Sequence, residues 1–128
     1  MTPDEAKQNA RRFLEDVFNR RNLPRAIEVV LDPDGVDRCR ALLEASSDLR
    51  VEVLDLVSDG RKVAIRARYA GTDTGGVFPG TQPTGRPFDL EGIHVAELHD
   101  DGRFARYEGI VDLRGAMDQL RLVPSMSG

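Results

Sequence analysis

Apolar positions in the first 45 residues recur every three or four residues, the spacing typical of amphipathic helices. The first stripe consists of Ala10, Phe13, Leu14, Val17 and Phe18. It follows TPDE (residues 2–5), which provides a capping threonine, a proline suited to the first helical turn and a glutamate at the third position. The same spacing predicts short helices near 24–31 and over 36–45, separated by the turn sequence DPDG (residues 32–35).

From residue 49 the period of the apolar positions changes to two, as in strands with one buried face. The strands that this alternation predicts span 49–57, 62–72, 88–98 and 103–112. A glycine- and proline-rich loop at 73–87 is expected to form a lid or the rim of a pocket, with a simple connector as the alternative, and a short helix over 113–120 closes the domain. Helices followed by a curled antiparallel sheet predict a single α+β cone-shaped domain over residues 1–128, with the N-terminal helices enclosing a pocket.

The last two predicted strands carry the clearest candidate for chemistry. A three-residue turn ending in Gly102 pairs residues whose numbers sum to 202, so that His94 faces Glu108. Opposed side chains have Cβ atoms about 4.5–5.5 Å apart, and a buried carboxylate beside an imidazole can hold a general acid or base near neutral pH. The alternation also permits a register shifted by one residue. A structural pair or a solvent-facing hairpin is the alternative interpretation.

Three other candidate residues each have an ordinary structural role as well as a possible functional one. Arg66 can neutralise Asp112 or bind a ligand oxygen, although a solvated face is the more common explanation for an arginine at such a position. Tyr69 and Tyr107 can orient a ligand carbonyl, with packing as the alternative.

Composition narrows the function classes further. The 128 residues carry a net charge of −4, and the early arginines are interspersed with acidic residues, which argues against a nucleic-acid partner. The single cysteine, Cys39, excludes an intramolecular disulfide and is predicted to be a packed, inert thiol. With two histidines and no metal or nucleotide motif, neither a metal nor a cofactor is expected. No signal peptide or membrane-length apolar run is found, so a cytoplasmic location without membrane contact is expected.

The stretch VAIRARYAGTDTGGVFPGTQPTGRPFDLEGI (residues 63–93) resembles the strand–loop–strand signature of SnoaL-like polyketide cyclases. The positions that match this signature are Arg66, Gly71, Thr72, Thr74, Gly75, Pro83, Thr84, Gly85 and Arg86. The ending VDLRGAMDQL (residues 111–120) resembles the family's strand-terminal aspartate followed by a short helix. The resemblance covers residues 48–121 well and the first helix loosely.

This resemblance implies a fold like that of nuclear transport factor two and ketosteroid isomerase, and a cofactor-free aldol ring closure of a polyketide ester. In the family an acidic residue acts as acid/base with a histidine on the adjacent strand, and these positions correspond to Glu108 and His94. Asp112 corresponds to the strand-end aspartate. The chain departs from the family pattern by Glu at 108 in place of Asp, by Asp73 where histidine is common, and by a shortened segment at 31–35.

Together these observations predict a small cyclase or isomerase acting on an apolar or aromatic polyketide-like ligand. Glu108 takes the proton next to a carbonyl, His94 polarises or protonates the enolate oxygen, and Asp112 and Arg66 support them. The residues expected to bind substrate are Arg66, Tyr69, Phe13, Phe18 and Tyr107. A non-catalytic ligand-binding or interaction module is the main alternative, and an epoxide hydrolase-like enzyme is a lesser one. The resemblance also implies a homodimer paired through the sheet.

Overall fold

The structure of the chain, a computed structural model, describes residues 1–78 and 80–122. Its elements are α1 (Pro3–Leu14), a π-helical segment (Glu15–Asn19), α2 (Leu23–Val29), α3 (Pro33–Ala45), β1 (Arg50–Asp59), β2 (Lys62–Thr72), β3 (Pro87–Leu98), β4 (Phe104–Val111) and α4 (Leu113–Leu120). The strands form one antiparallel sheet in the order β1-β2-β3-β4, which confirms the predicted α+β architecture. Pro79, in the predicted loop, and residues 123–128, at the end of the predicted domain, lie outside the described residues.

Two helices begin in the same way, with a capping side chain followed by proline. Thr2 caps α1 by accepting a 3.1 Å hydrogen bond from the Glu5 amide, as predicted. Asp32 caps α3 by accepting a 3.1 Å bond from the Asp34 amide. Proline fits the first helical position because the N–H group there has no intrahelical partner. The predicted start of this helix at Val36 is therefore wrong by about one turn, since Asp-Pro begins a helix as readily as it forms a turn.

A π-helical segment continues α1 and ties it to the sheet. Its wider turn buries Val17 and Phe18 side by side and ends at Asn19. The Asn19 amide donates to the Val51 carbonyl over 2.9 Å and accepts from the Val51 amide over 2.7 Å. Asn19 thus satisfies two backbone groups at the edge of β1 that would otherwise need a neighbouring strand. The apolar periodicity predicts one regular helix through Phe18 and does not reveal this change of helix type.

Arg21 and the glycine-rich segment after β2 hold the carboxyl end of α3. Arg21 donates to two carbonyls there, 2.5 and 2.9 Å away. The Gly75 amide donates to the Ala45 carbonyl over 3.0 Å. A Cβ atom at position 75 would lie 2.9 Å from the Glu44 carbonyl carbon, so a side chain would prevent this contact. These bonds satisfy carbonyls that a helix end leaves without intrahelical partners.

Asp73 organises the loop between β2 and β3. Its side chain is fully buried, and one carboxylate oxygen accepts a 2.9 Å bond from the Gly76 amide. The other oxygen accepts from the amide and the hydroxyl of Thr84, each 2.9 Å away. The Asp73 amide donates to the Arg86 carbonyl over 2.9 Å. One side chain therefore joins both ends of the loop, as in a compact Ω-loop.

The helices cover one face of the sheet and leave the other exposed. In β2 the inward residues Val63, Ile65, Ala67 and Tyr69 are all buried, and the residues between them are exposed. All four strands and four helices contribute to one buried apolar cluster. Across residues 1–78 and 80–122, no helix has the length and apolar character needed to cross a membrane.

Candidate functional site

Aromatic rings fill the space between the helices and the inner face of the sheet. This aromatic cluster consists of Phe13, Phe18, Tyr69, His94, Phe104 and Tyr107, each at most 6 % exposed. Neighbouring ring centroids are 4.7 to 6.1 Å apart. The structure therefore brings His94 together with four of the residues predicted to bind substrate. The rings also fill the space where the sequence predicts an enclosed pocket.

His94 and Tyr69 form the polar centre of the aromatic cluster. The Tyr69 hydroxyl and His94 Nε2 are joined by a hydrogen bond. The imidazole stacks on the Tyr107 ring, with centroids 5.3 Å and planes 11° apart. If the phenol donates to Nε2, the imidazole proton is on Nδ1; if the imidazole proton is on Nε2, then Nε2–H donates to the phenol oxygen.

Burial and the nearby Arg38 guanidinium keep His94 uncharged at neutral pH. Only 6 % of His94 is exposed, and this burial, together with the positive charge of Arg38, lowers the pKa of His94 to about 4. Arg38 donates to the Tyr107 carbonyl and lies 3.7 Å from the Asp32 carboxylate. Burial also raises the pKa of Tyr69 and Tyr107, so both phenols stay protonated.

Two polar atoms of the aromatic cluster are buried without a hydrogen-bond partner in the described part of the chain. They are Nδ1 of His94 and the hydroxyl of Tyr107. An unpaired buried polar group costs about 1–3 kcal/mol, so each such group needs an explanation. An oxygen-bearing ligand would provide one, because the cluster can donate hydrogen bonds to a carbonyl and accept a proton.

The predicted pairing of His94 with Glu108 is wrong. The hairpin turn forms as predicted, but a β-bulge at Ala105 then shifts the register by one residue. His94 faces Gly109, and Glu108 lies on the exposed outer face of the sheet. The carboxylate and the imidazole are therefore on opposite faces.

The spacing of two aromatic residues in β4 contains the signal that strict alternation misses. Phe104 and Tyr107 are three residues apart, so a regular strand would point them to opposite faces. The bulge turns both inward, where neither is more than 3 % exposed, and leaves Arg106 and Glu108 outside. Burying a second ring stabilises the fold by roughly 1.5–3 kcal/mol. This gain outweighs the regular backbone hydrogen bonding that is lost where the bulged residue of an edge strand has no partner.

Two other predicted site residues lie away from the aromatic cluster. The Asp112 carboxylate caps α4 by accepting a 2.8 Å bond from the Gly115 amide. Arg66 is exposed on the outer face of β2, paired with Asp55 and Ile93 in the neighbouring strands. The predicted grouping of Asp112 and Arg66 with His94 is therefore wrong.

A groove of about 630 Å³ runs along the outer face of the sheet instead. Its apolar floor includes Ile93, Val95 and Ile110, which are 49–80 % exposed. Charged groups on its walls include Arg66 and Glu108. A large apolar patch bordered by charges is typical of a surface that binds another molecule.

The remaining candidates for reactive or metal chemistry add little. Cys39 is buried, and burial raises the pKa of its thiol to about 12, so the predicted packed, inert thiol is confirmed. Within the described ranges 1–78 and 80–122, no three histidine, cysteine or acidic side chains converge into a metal site.

Known proteins resemble this chain in sequence pattern and in fold. A family model described as SnoaL-like polyketide cyclase matches residues 8–120, and no curated protein matches the sequence.

Among solved structures, TsrD from Streptomyces laurentii is 21 % identical with a TM-score of 0.81, over 96 % of this chain and 100 % of that one. AclR from Streptomyces galilaeus is 22 % identical with a TM-score of 0.82, over 98 % of this chain and 86 % of that one. A SnoaL-like polyketide cyclase from Agrobacterium tumefaciens is 20 % identical with a TM-score of 0.75, over 94 % and 99 %. These similarities confirm the nuclear transport factor two-like cone.

Proposed function

Because the chain belongs to the SnoaL-like polyketide cyclase family, we propose that it performs cofactor-free acid–base catalysis on a polyketide-like carbonyl compound. The reaction is an aldol-type ring closure or an isomerisation. The observation that carries the proposal is the hydrogen-bonded pair of His94 and Tyr69 in an apolar interior, beside two polar atoms without partners.

His94 is the acid–base residue in this proposal. Its pKa of about 4 leaves the imidazole neutral at neutral pH. With Nε2–H donating to the Tyr69 oxygen, Nδ1 has a free lone pair that accepts the proton from the carbon next to a carbonyl. An imidazole with so low a pKa is a weak base. It suits a C–H group that is more acidic than that of a simple ketone, such as one between a carbonyl and an aromatic ring or one between two carbonyls. The negative charge that develops on the enolate oxygen then stabilises the imidazolium.

Tyr69 and Tyr107 bind the ligand oxygen. Their raised pKa values keep both phenols protonated, so they donate hydrogen bonds to a developing enolate without bringing a second charge into the interior. Phe13 and Phe18 offer apolar ring surface to an aromatic ligand. Such a ligand binds by replacing ring-to-ring contacts within the aromatic cluster.

Glu108, the acid that the family resemblance points to, has no role in this interior reaction because it lies on the outer face of the sheet. A non-catalytic module that binds a small apolar ligand is the alternative function. The same aromatic cluster would serve it without proton transfer.

Proton exchange at the carbon next to a carbonyl tests the proposal without knowledge of the natural product. β-Tetralone, an aromatic ketone, is incubated with the protein in deuterated water, and loss of its α-proton signal is followed by NMR. We expect exchange above the buffer rate, lowered about 10²-fold by His94→Gln, which removes the base, and about 10-fold by Tyr69→Phe, which removes a hydrogen-bond donor to the enolate oxygen.

Glu108→Gln is the matched comparison, because it neutralises a carboxylate on the other face of the same sheet. Unchanged exchange in Glu108→Gln, with losses in the two interior variants, supports the interior site. Loss in Glu108→Gln alone would return the acid–base role to Glu108. Thermal stabilisation by anthraquinone without exchange of β-tetralone by the wild type would favour the binding module.

The outer face of the sheet is the surface through which we propose that the protein forms a homodimer. Its exposed apolar residues are Val57, Ile93, Val95 and Ile110. The charged residues that line the groove are Arg66, Glu91, Glu108 and Asp112. A two-fold axis through such a patch can bury the apolar residues of both protomers and place the arginine of one protomer beside a carboxylate of its partner.

Ile110→Asp is expected to convert this dimer into a monomer, because it places a charge in the apolar centre of the interface. Molar mass is measured by light scattering during size-exclusion chromatography. Ile27→Asp adds the same charge at an exposed apolar position, 57 % accessible, on α2 and should leave the dimer intact. A wild-type protein that is monomeric at high concentration would contradict the proposal.

A further inference from the structure

Gly109 faces His94 across β3 and β4, and the imidazole occupies the space above it. A Cβ atom at position 109 would lie 2.5 Å from His94 Cε1, 2.9 Å from Cγ and closer still to Nδ1. Real Cβ atoms essentially never approach other atoms within 3.0 Å. Any side chain at position 109 would therefore displace the imidazole.

Gly92 is also crowded, but by β4 and not by the imidazole. A Cβ atom at position 92 would lie 2.9 Å from Val111 Cγ1 and 3.1 Å from the Ile110 carbonyl oxygen, whereas Tyr69 Cε2, 3.4 Å away, would be in ordinary contact. Both glycines lie in the same short sequence, Glu-Gly-Ile, at residues 91–93 and 108–110. In each copy the glutamate and isoleucine are exposed on the outer face, and a Cβ atom at the Gly109 position would point to the inner face, toward the His94 ring.

A glycine inside a strand weakens the strand, because it loses more conformational freedom on folding and packs no side chain. Its presence therefore indicates a close approach that a side chain would block. At Gly109 the approaching group is the imidazole that stacks on Tyr107 and is hydrogen-bonded to Tyr69.

We propose that Gly109 is a positioning residue for His94: the missing side chain lets the imidazole lie close against β4, stacked on Tyr107 and within hydrogen-bonding reach of Tyr69. The importance of this imidazole position for catalysis rests on the proposed function of His94. The effect of Gly109 on the imidazole position is tested separately, because the NMR signals of the ring nitrogens and the stability of the fold report on it without turnover.

The first test observes the imidazole directly. His94 and His99 are the only histidines, so a spectrum of His99→Gln assigns the ring nitrogens of His94. In the wild type at neutral pH we expect one protonated and one unprotonated nitrogen, as in a fixed tautomer. In Gly109→Ala the two signals should move toward the averaged position of a mobile imidazole, and β-tetralone exchange should fall at least about 10-fold. Unchanged nitrogen signals in a folded Gly109→Ala would overturn the proposal.

The second test is a double-mutant cycle. Gly109→Ala should raise the unfolding equilibrium constant at least about 10-fold in the wild type, but change it less than about 3-fold in His94→Ala, where the missing imidazole leaves room for the new methyl group. If Gly109→Ala alone does not fold, a folded His94→Ala/Gly109→Ala protein supports the clash. Equal losses in both backgrounds, or a double variant that also fails to fold while His94→Ala folds, would overturn it. A wild type that does not exchange β-tetralone would contradict only the proposed function.

Discussion

Replacing Asp73 by alanine is expected to lower the free energy of unfolding by about 3–5 kcal/mol. The carboxylate accepts hydrogen bonds from the Gly76 amide and from the amide and hydroxyl of Thr84, and it is completely buried. Alanine would leave these donors without their acceptor and would open the base of the loop between β2 and β3. Urea-induced unfolding followed by circular dichroism measures the loss.

Two variants separate this effect from a general loss of charge. Asp73→Asn keeps the shape and one acceptor oxygen, so about half of the loss is expected. Asp59→Ala removes an exposed carboxylate at the end of β1 and should change little. Hydrogen exchange at the Thr84 amide then localises the damage to the loop. If Asp73→Ala unfolds at the same urea concentration as the wild type, the loop does not depend on this carboxylate.

The residues that match the family signature act here largely in the architecture of the loop. The Thr84 amide donates a hydrogen bond to the Asp73 carboxylate, and the Gly75 amide donates one to a carbonyl at the end of α3. Thr72 donates from its amide and its hydroxyl to Asp48, over 2.8 and 3.0 Å. The signature therefore identifies the fold, while the candidate chemistry lies in the aromatic cluster, where only residue types and burial give a signal.

Local patterns predict the elements of this fold because each depends on nearby residues. The alternation in Lys62–Thr72 follows from one buried face of a strand, and the cap at Thr2 follows from unpaired amides in the first turn. The start of α3 is missed because Asp32-Pro33 suits both a turn and a helix. Packing of α3 against the sheet decides between the two, and local sequence does not describe that packing.

The candidate site depends on register, which is a non-local property. The sequence identifies His94, Tyr69 and Tyr107 by residue type, and the structure brings them together. The position of Glu108 is wrong because one bulged residue, Ala105, reverses the faces of every residue that follows it in β4. Whether the bulge forms depends on its free-energy cost and on the free energy gained by burying both rings against residues from the whole interior. The alternation of residues within β4 describes only the strand itself and not these interior contacts.

His94 is expected to make the fold less stable as the pH falls below neutral. Its pKa is 6.5 in the unfolded chain and about 4 in the folded protein, because the buried imidazole resists protonation. Between these values the unfolded state binds more protons, so stability is fully present above pH 6.5 and falls as the pH approaches 4. The difference corresponds to about 3 kcal/mol, with a slope of about 1.4 kcal/mol per pH unit. Urea unfolding at a series of pH values measures this slope.

The comparison of the two histidines makes this prediction specific. His94→Gln should remove most of the slope between pH 6.5 and 4.5, whereas His99→Gln, which changes an exposed histidine, should keep it. The lower limit matters because hydrogen bonds lower the pKa of Asp48 and Asp89 in the folded protein below the value of 3.8 that applies to the unfolded chain. Near and below that pH the unfolded chain binds more protons at these carboxylates than the folded protein does, which adds a slope that does not come from His94. A slope that survives in His94→Gln would mean that other groups cause it and that folding does not lower the pKa of His94. The imidazole would then not be held neutral by a dry apolar interior, and the interior reaction would lose the environment on which it depends.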